Sequence, residues 1–226
     1  TTGYGNIAIG EVGLSSVTSG YFNIGIGEQA GELLTDGNRN VVIGNQALKL
    51  ATTATQNIAI GYDSLENTTT GSQNTAVGSY SLDGNTTGGD NVAIGYYALL
   101  ANTTASDNTA VGRSALQSNT TGTRNIAVGA YALDENTTAV ENVAIGYNAL
   151  TSNTTGTRNV CVGNYALEDT VTGTNNAAFG SHALSNNTGN YNTACGDGSL
   201  AANTTGAYNV AVGSNALDAN TTGNYN

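Results

Sequence analysis

Proline, methionine and tryptophan are absent from the 226-residue chain, histidine occurs once and cysteine twice. Without proline, neither a polyproline segment nor a collagen-like triplet array can form. Only five basic residues are present (Arg39, Lys49, Arg113, Arg124 and Arg158) against 16 acidic ones, for a net charge of −11. A nucleic-acid-binding face needs clustered Lys and Arg, so no nucleic-acid partner is expected. An anionic membrane surface would repel the chain, and no apolar run nears the length of a bilayer span. No membrane insertion by this segment is therefore expected. Leu, Ile, Val and Phe supply just 43 residues. At that level disorder is the default, unless the apolar residues recur in fixed places.

They do recur. A 17-residue unit, N-x-A-[I/V]-G-x-x-A-L-x-x-N-T-T-G-x-x, runs thirteen times through the chain. Its leading asparagines, from Asn6, Asn23 and Asn40 to Asn209 and Asn226, lie 17 apart except for Asn176 and Asn192, which lie 16 apart. A fixed short period marks a solenoid, each repeat being one coil stacked on the last. Residues 1–6 and 221–226 share one phase, which reads as a segment of a longer array. The unbroken period predicts a single repeat domain over 1–226.

In the coil Asn91–Asp107, Val92, Ala93 and Ile94 alternate faces if extended. Gly95 follows, and glycine holds that slot in all thirteen coils, which points to positive φ or to backbone packed too tightly for a Cβ. Ala98 and Leu99 open a second short segment, and N-T-T-G has turn chemistry. Gly, Asn and Thr are too abundant for a helix. The expected fold is all-β, a parallel β-solenoid or β-roll of thirteen coils, roughly 60 Å long at about 4.8 Å per strand. Stacked asparagines should form an amide ladder, and the Ile/Val and Leu slots apolar columns inside the coil.

The second residue after each leading Asn is small: alanine in ten coils, Gly25, Val42 and Cys161 in the others. With Ile/Val taken as the core, this opposite face reads as a second packed surface. An oligomer interface is expected on Ala8, Ala59, Ala76, Ala93, Ala110, Ala127, Ala144, Cys161, Ala177, Ala178, Ala194 and Ala211, with a homotrimer as the preferred arrangement. Cys161 and Cys195 fall on opposite faces of strands two coils apart, too far for a disulfide, and both are expected as small buried residues.

The block N-V-A-I-G-x-x-A (Asn91–Ala98, Asn142–Ala149, and Asn125–Ala132 with Val for Ile) resembles the head repeats of YadA-like trimeric autotransporter adhesins. The N-T-T-G extension, as in Asn119–Gly122 and Asn153–Gly156, is similar to repeats of tail-fibre-like proteins of bacteria and phages. The resemblance spans essentially the whole chain, although the coil is longer than the usual adhesin head repeat. It implies a left-handed parallel β-roll, trimeric assembly, and an extracellular place on a cell or virion surface.

Catalysis is not expected. Ile94–Leu99 fits one unit of the hexapeptide-repeat acyltransferases, but those proteins wind three units into an 18-residue coil and need a histidine. His182 stands in a slot otherwise variable. The carboxylates nine residues after the Asn (Glu32, Glu66, Asp83, Asp134, Glu168 and Asp218) read as a solvated acidic stripe, since the G-G-x-G-x-D repeats of calcium β-rolls are missing. No metal or cofactor is expected. Tyr62, Tyr96 and Tyr147, with Tyr80, Tyr97, Tyr131 and Tyr165 one slot later, are candidate contacts for a host glycan or protein receptor, or cover for the rim of the trimer. Asn67, Asn85, Asn102, Asn119, Asn136, Asn153, Asn186, Asn203 and Asn220 match the glycosylation sequon. The expected function is the non-enzymatic shaft or head of an attachment fibre. The alternatives are a single-chain solenoid stacking end to end into a filament and, with its paired threonines, an ice-binding solenoid.

Overall fold

A computed structural model describes residues 2–226. The chain is an all-β parallel β-solenoid and divides into two compact units, Thr1–Arg113 and Ser114–Asn226. The first carries β1 (Ile7–Ile9), β2 (Ile24–Ile26), β3 (Val41–Ile43), β4 (Ile58–Ile60), β5 (Thr75–Val77), β6 (Val92–Ile94) and β7 (Thr109–Val111). The second carries β8 (Ile126–Val128), β9 (Val143–Ile145), β10 (Val160–Val162), β11 (Ala177–Phe179), β12 (Thr193–Cys195) and β13 (Val210–Val212). Within each unit every strand pairs in parallel with the next, one repeat on, as in Val92↔Thr109 and Val143↔Val160. The 16-residue interval leaves this register intact, since Ala177 still faces Thr193. The missing residue comes out of the turn, where Asn187 Nδ2 donates to the carbonyl of Gly189, two residues on rather than three.

Each coil holds one strand. The second short segment that opens at Ala98 and Leu99 is part of a run of turns that begins at the glycine. In that run the leucine backbone sits in the left-handed region, φ 52° at Leu99 and 53° at Leu116. Left-handed backbone costs a non-glycine residue about 1–2 kcal/mol. Full burial of a leucine side chain returns about 1.5–3 kcal/mol, which offsets that cost where the leucine is buried, as at Leu99 and Leu116.

The inside and outside of the strand are the reverse of the expectation. In every strand but β1 the middle residue is buried, and in none is either flanking residue buried. Ala59, Ala76, Ala93, Ala110, Ala127, Ala144, Cys161, Ala178 and Ala194 are fully buried, and Ala211 nearly so. They lie in the interior with the leucine column and the alanines of the turn run, such as Ala98 and Ala115, where the slot is small and takes nothing larger than Val42. They therefore cannot form an oligomer interface. Ala8, in β1, is exposed, and Ala177 lies in the outward first position of β11. Ile and Val line the outer face.

Two asparagine columns bracket this interior. The leading asparagine is fully satisfied: Asn91 Nδ2 donates to Asn74 Oδ1 (3.1 Å) and the Ala105 carbonyl (2.9 Å), while Asn91 Oδ1 accepts from the Asn108 backbone N–H (3.0 Å) and Nδ2 (3.4 Å). The asparagine of N-T-T forms a second column. Asn102 Nδ2 donates to Asn85 Oδ1 (3.0 Å), and Asn136 Nδ2 to Asn119 Oδ1 (2.7 Å). The columns meet on shared carbonyls, as where Asn74 and Asn85 both donate to Gly88. Asn153 Oδ1 has no partner because Thr170 interrupts the second column and donates instead to the Asn187 carbonyl.

Candidate functional site

Because the asparagines and alanines turn inward, the first and third strand positions turn outward together. The third position is apolar in all thirteen coils, from Ile9 and Ile26 through Ile94, Val111 and Ile145 to Val212. Ile58 is 38% exposed and Ile94 40%, figures that would be near zero in a core strand. Each unit thus presents an uncharged and largely β-branched strip. Cys195 belongs to this strip: it is exposed, and not the buried residue expected. Cys161 is buried as expected, and burial pushes its thiol up to about 12.

The predicted tyrosines form rows just beyond the glycine bend. In the first unit Tyr62 and Tyr80 meet edge-on at 5.4 Å, Tyr80 and Tyr97 lie 5.3 Å apart, and Tyr96 leans on Tyr97 at 3.9 Å. In the second, Tyr131 and Tyr147 are perpendicular at 6.1 Å, Tyr147 and Tyr165 lie 5.4 Å apart, and His182 stacks on Tyr165 at 5.0 Å. The imidazole thus continues an aromatic row, with its Nδ1 2.9 Å from Ser181 Oγ. Tyr62, Tyr96 and Tyr147 are exposed, and Tyr80, Tyr97, Tyr131 and Tyr165 half-buried. A further ladder went unforeseen: Tyr191, Tyr208 and Tyr225 stack face to face at 4.9 and 5.1 Å. Its signal was the recurrence of tyrosine one residue before the leading Asn in consecutive coils.

The acidic stripe is not uniformly solvated. Burial, reinforced by the like charges of Glu66 and Asp63, pushes the Asp83 carboxyl up to about 6, although Asn67 Nδ2 donates to its Oδ1 at 3.0 Å. Burial, with Glu135 adding to it, likewise takes Asp134 to about 6, and its Oδ1 has no hydrogen-bond partner. Tyr131, Asp134, Tyr147, Asn148 and Thr151 line a surface hollow of about 320 Å³. A carboxyl that binds its proton more tightly folded than unfolded loses stability as it ionises. The contribution of Asp83 and Asp134 is thus most favourable below the unfolded value near 4, and falls as pH rises through 6. Half-exposed groups are screened by water, so about 1 kcal/mol each is a reasonable scale. The thermal midpoint should be higher at pH 5 than at pH 7.5, and the Asp83→Asn/Asp134→Asn double variant should flatten that difference. A wild-type midpoint that falls on acidification over this interval would contradict the assignment.

Six of the sequon asparagines, Asn85, Asn102, Asn119, Asn136, Asn153 and Asn203, are fully buried with Nδ2 committed to the coil interior, so they cannot carry sugar in the folded chain. Asn67 and Asn220 are half-buried, and Asn186 is exposed with its amide on the Ala201 carbonyl. The first threonine of the pairs is similarly occupied. Thr86 Oγ1 donates to the Thr103 carbonyl (3.0 Å) and Thr204 Oγ1 to the Thr221 carbonyl (2.9 Å). Those hydroxyls are spent on the coil wall, which leaves at most one threonine of each pair to face water.

Among the described residues no His, Cys, Asp or Glu group could hold a metal, and no helix is long and apolar enough to cross a membrane. Comparison with known proteins finds no matching family, no matching curated protein and no matching solved structure.

Proposed function

We propose that this chain is the non-enzymatic shaft of an extracellular attachment fibre, assembled as a homotrimer through its Ile/Val strip, with the tyrosine rows left as side contacts for a protein or glycan receptor. The observation that carries the reading is the outward strip itself. A β-face open to water ordinarily alternates toward Thr, Lys or Glu, whereas here the third position is apolar in every coil. The coil interior, built of one leucine and two alanines per repeat with two amide columns, is too small to take these side chains in. Another apolar surface of matching repeat must cover them, and a second and third copy supply one in register. The resemblance to trimeric adhesin heads points the same way.

Light scattering should give three chain masses. Ile60→Lys/Ile94→Lys places charge on the strip without touching the interior, and should give one chain mass with an unchanged circular-dichroism spectrum. A bismaleimide should link Cys195 of one copy to Cys195 of another and stop at covalent dimers, because Cys161 is sealed in. A wild-type mass of one chain would sink the trimer and leave the single-chain filament subunit as the better reading.

A further inference from the structure

The acidic slot beside the hollow in the second unit differs from the same slot in the first. Asp83 and Asp134 occupy the same slot of their coils, yet Asp83 receives the Asn67 amide and Asp134 Oδ1 receives nothing. The neighbouring charge that acts on Asp134 is Glu135, of the same sign. The arginines that flank this stretch, Arg124 and Arg158, are both held on Glu141 at 2.9 Å. Around this uncompensated carboxylate stand two tyrosine rings with planes 88° apart, and Asn148 and Thr151 complete the lining. The Thr151 hydroxyl is already donated to the Tyr131 carbonyl.

We propose that this hollow, bounded by Tyr131, Asp134, Tyr147 and Asn148, binds a small organic ammonium group, of the quaternary or alkylated kind. Aromatic walls attract a cation through their quadrupoles, by about 0.5–2 kcal/mol according to how far it is desolvated. The carboxylate adds a full opposite charge in a setting drier than bulk water, where charge pairs interact more strongly. A neutral sugar fits less well. Its hydroxyls cannot donate to the one unpartnered acceptor, because Asp134 Oδ1 lies out of contact with solvent. A quaternary ammonium needs no hydrogen bond and responds to the charge through space. A metal ion fits no better, since one carboxylate with two tyrosines is too few hard oxygen ligands. The inference rests on the tyrosine rows being contact surface. Its test uses free small molecules, however, so it can fail while the trimer stands, and the reverse.

Choline and tetramethylammonium titrated into the full chain, followed by amide and tyrosine-ring NMR shifts, should move signals of Tyr131, Tyr147 and Asn148 and saturate. Asp134→Asn keeps the shape and removes the charge, and should weaken choline binding at least tenfold. Asp83→Asn, in the first unit, should leave it unchanged and controls for general charge. Tyr147→Ser should weaken binding as well, with the fold confirmed by unshifted Asn-column amides. No saturable shift with either cation would overturn the proposal. Equal binding by Asp134→Asn would overturn it too, as would glucose binding as tightly as choline and surviving that substitution.

Discussion

Gly95→Ala is expected to destabilise the first unit by about 4 kcal/mol or more, a loss at the extreme of what one methyl can cause. Gly95 has φ +138°, a region that side-chain-bearing residues scarcely enter, and occupying it alone costs about 1–3 kcal/mol. The added Cβ would also lie 2.5 Å from the carbonyl oxygen and 2.7 Å from the carbonyl carbon of Gly112. Those atoms are backbone of the next coil and cannot rotate away. Relief would require prising the two coils apart, and with them the hydrogen bond from Gly112 N–H to the Ile94 carbonyl at 2.8 Å. The companion Gly13→Ala supplies the contrast. Its φ is not in the left-handed region, and its nearest contact would be an ordinary 3.4 Å. Urea midpoints should fall sharply for Gly95→Ala and scarcely move for Gly13→Ala. Equal shifts would mean that the bend tolerates a side chain and that the glycine column is not set by close backbone approach.

The glycine column was legible because one slot held one residue thirteen times, and the structure supplies both reasons that such invariance can have. The leucine column and the amide ladder were legible in the same way. The two faces of the strand were not. Three residues alternate cleanly, but hydropathy assigns Ile and Val to the core and leaves alanine outside, and size decides the opposite. The deciding signal was parity. The leading asparagine and the alanine lie two residues apart, so a ladder that buries Asn91 must also bury Ala93 and turn Val92 and Ile94 out. Cys195 was misplaced by the same error. The sequons failed for a related reason: the N-T-T asparagine reads as surface turn chemistry, whereas stacking converts it into a second interior column. The left-handed leucine backbone left no trace, since leucine has no propensity for it and the winding of the coil imposes it, on exposed Leu217 as on buried Leu99. In the candidate site, the tyrosine rows were readable from slot positions. The bare Asp134 oxygen was not, because Asp83 and Asp134 are the same letter in the same slot, and the Asn67 amide reaches only Asp83.

Asn91→Thr is expected to cost far more than Asn102→Thr, although both asparagines are fully buried and belong to stacked columns. Asn91 Oδ1 accepts from the Asn108 backbone N–H, and its side chain takes part in four hydrogen bonds. A threonine hydroxyl at that site is too short to span both neighbouring coils. It gives up the buried bonds to Asn74 Oδ1 and from the Asn108 backbone N–H, at about 1–3 kcal/mol each. Asn102 is less exacting. Its amide donates to Asn85 Oδ1 and to the Ala105 carbonyl, and that carbonyl keeps a donor in Asn91 when Asn102 is lost. The chain itself places Thr68 and Thr170 in the second column, where Thr68 Oγ1 accepts from Asn85 Nδ2 at 3.2 Å, while the first column is asparagine at all fourteen places. Asn91→Thr should therefore lower stability by about 3–5 kcal/mol, and Asn102→Thr by about 1 kcal/mol. Hydrogen exchange gives a sharper readout than a global midpoint: the Asn108 amide should lose its protection in the first variant and keep it in the second. If both variants lose stability equally, the two columns are interchangeable, and the leading asparagine is held by something other than its reach across two coils.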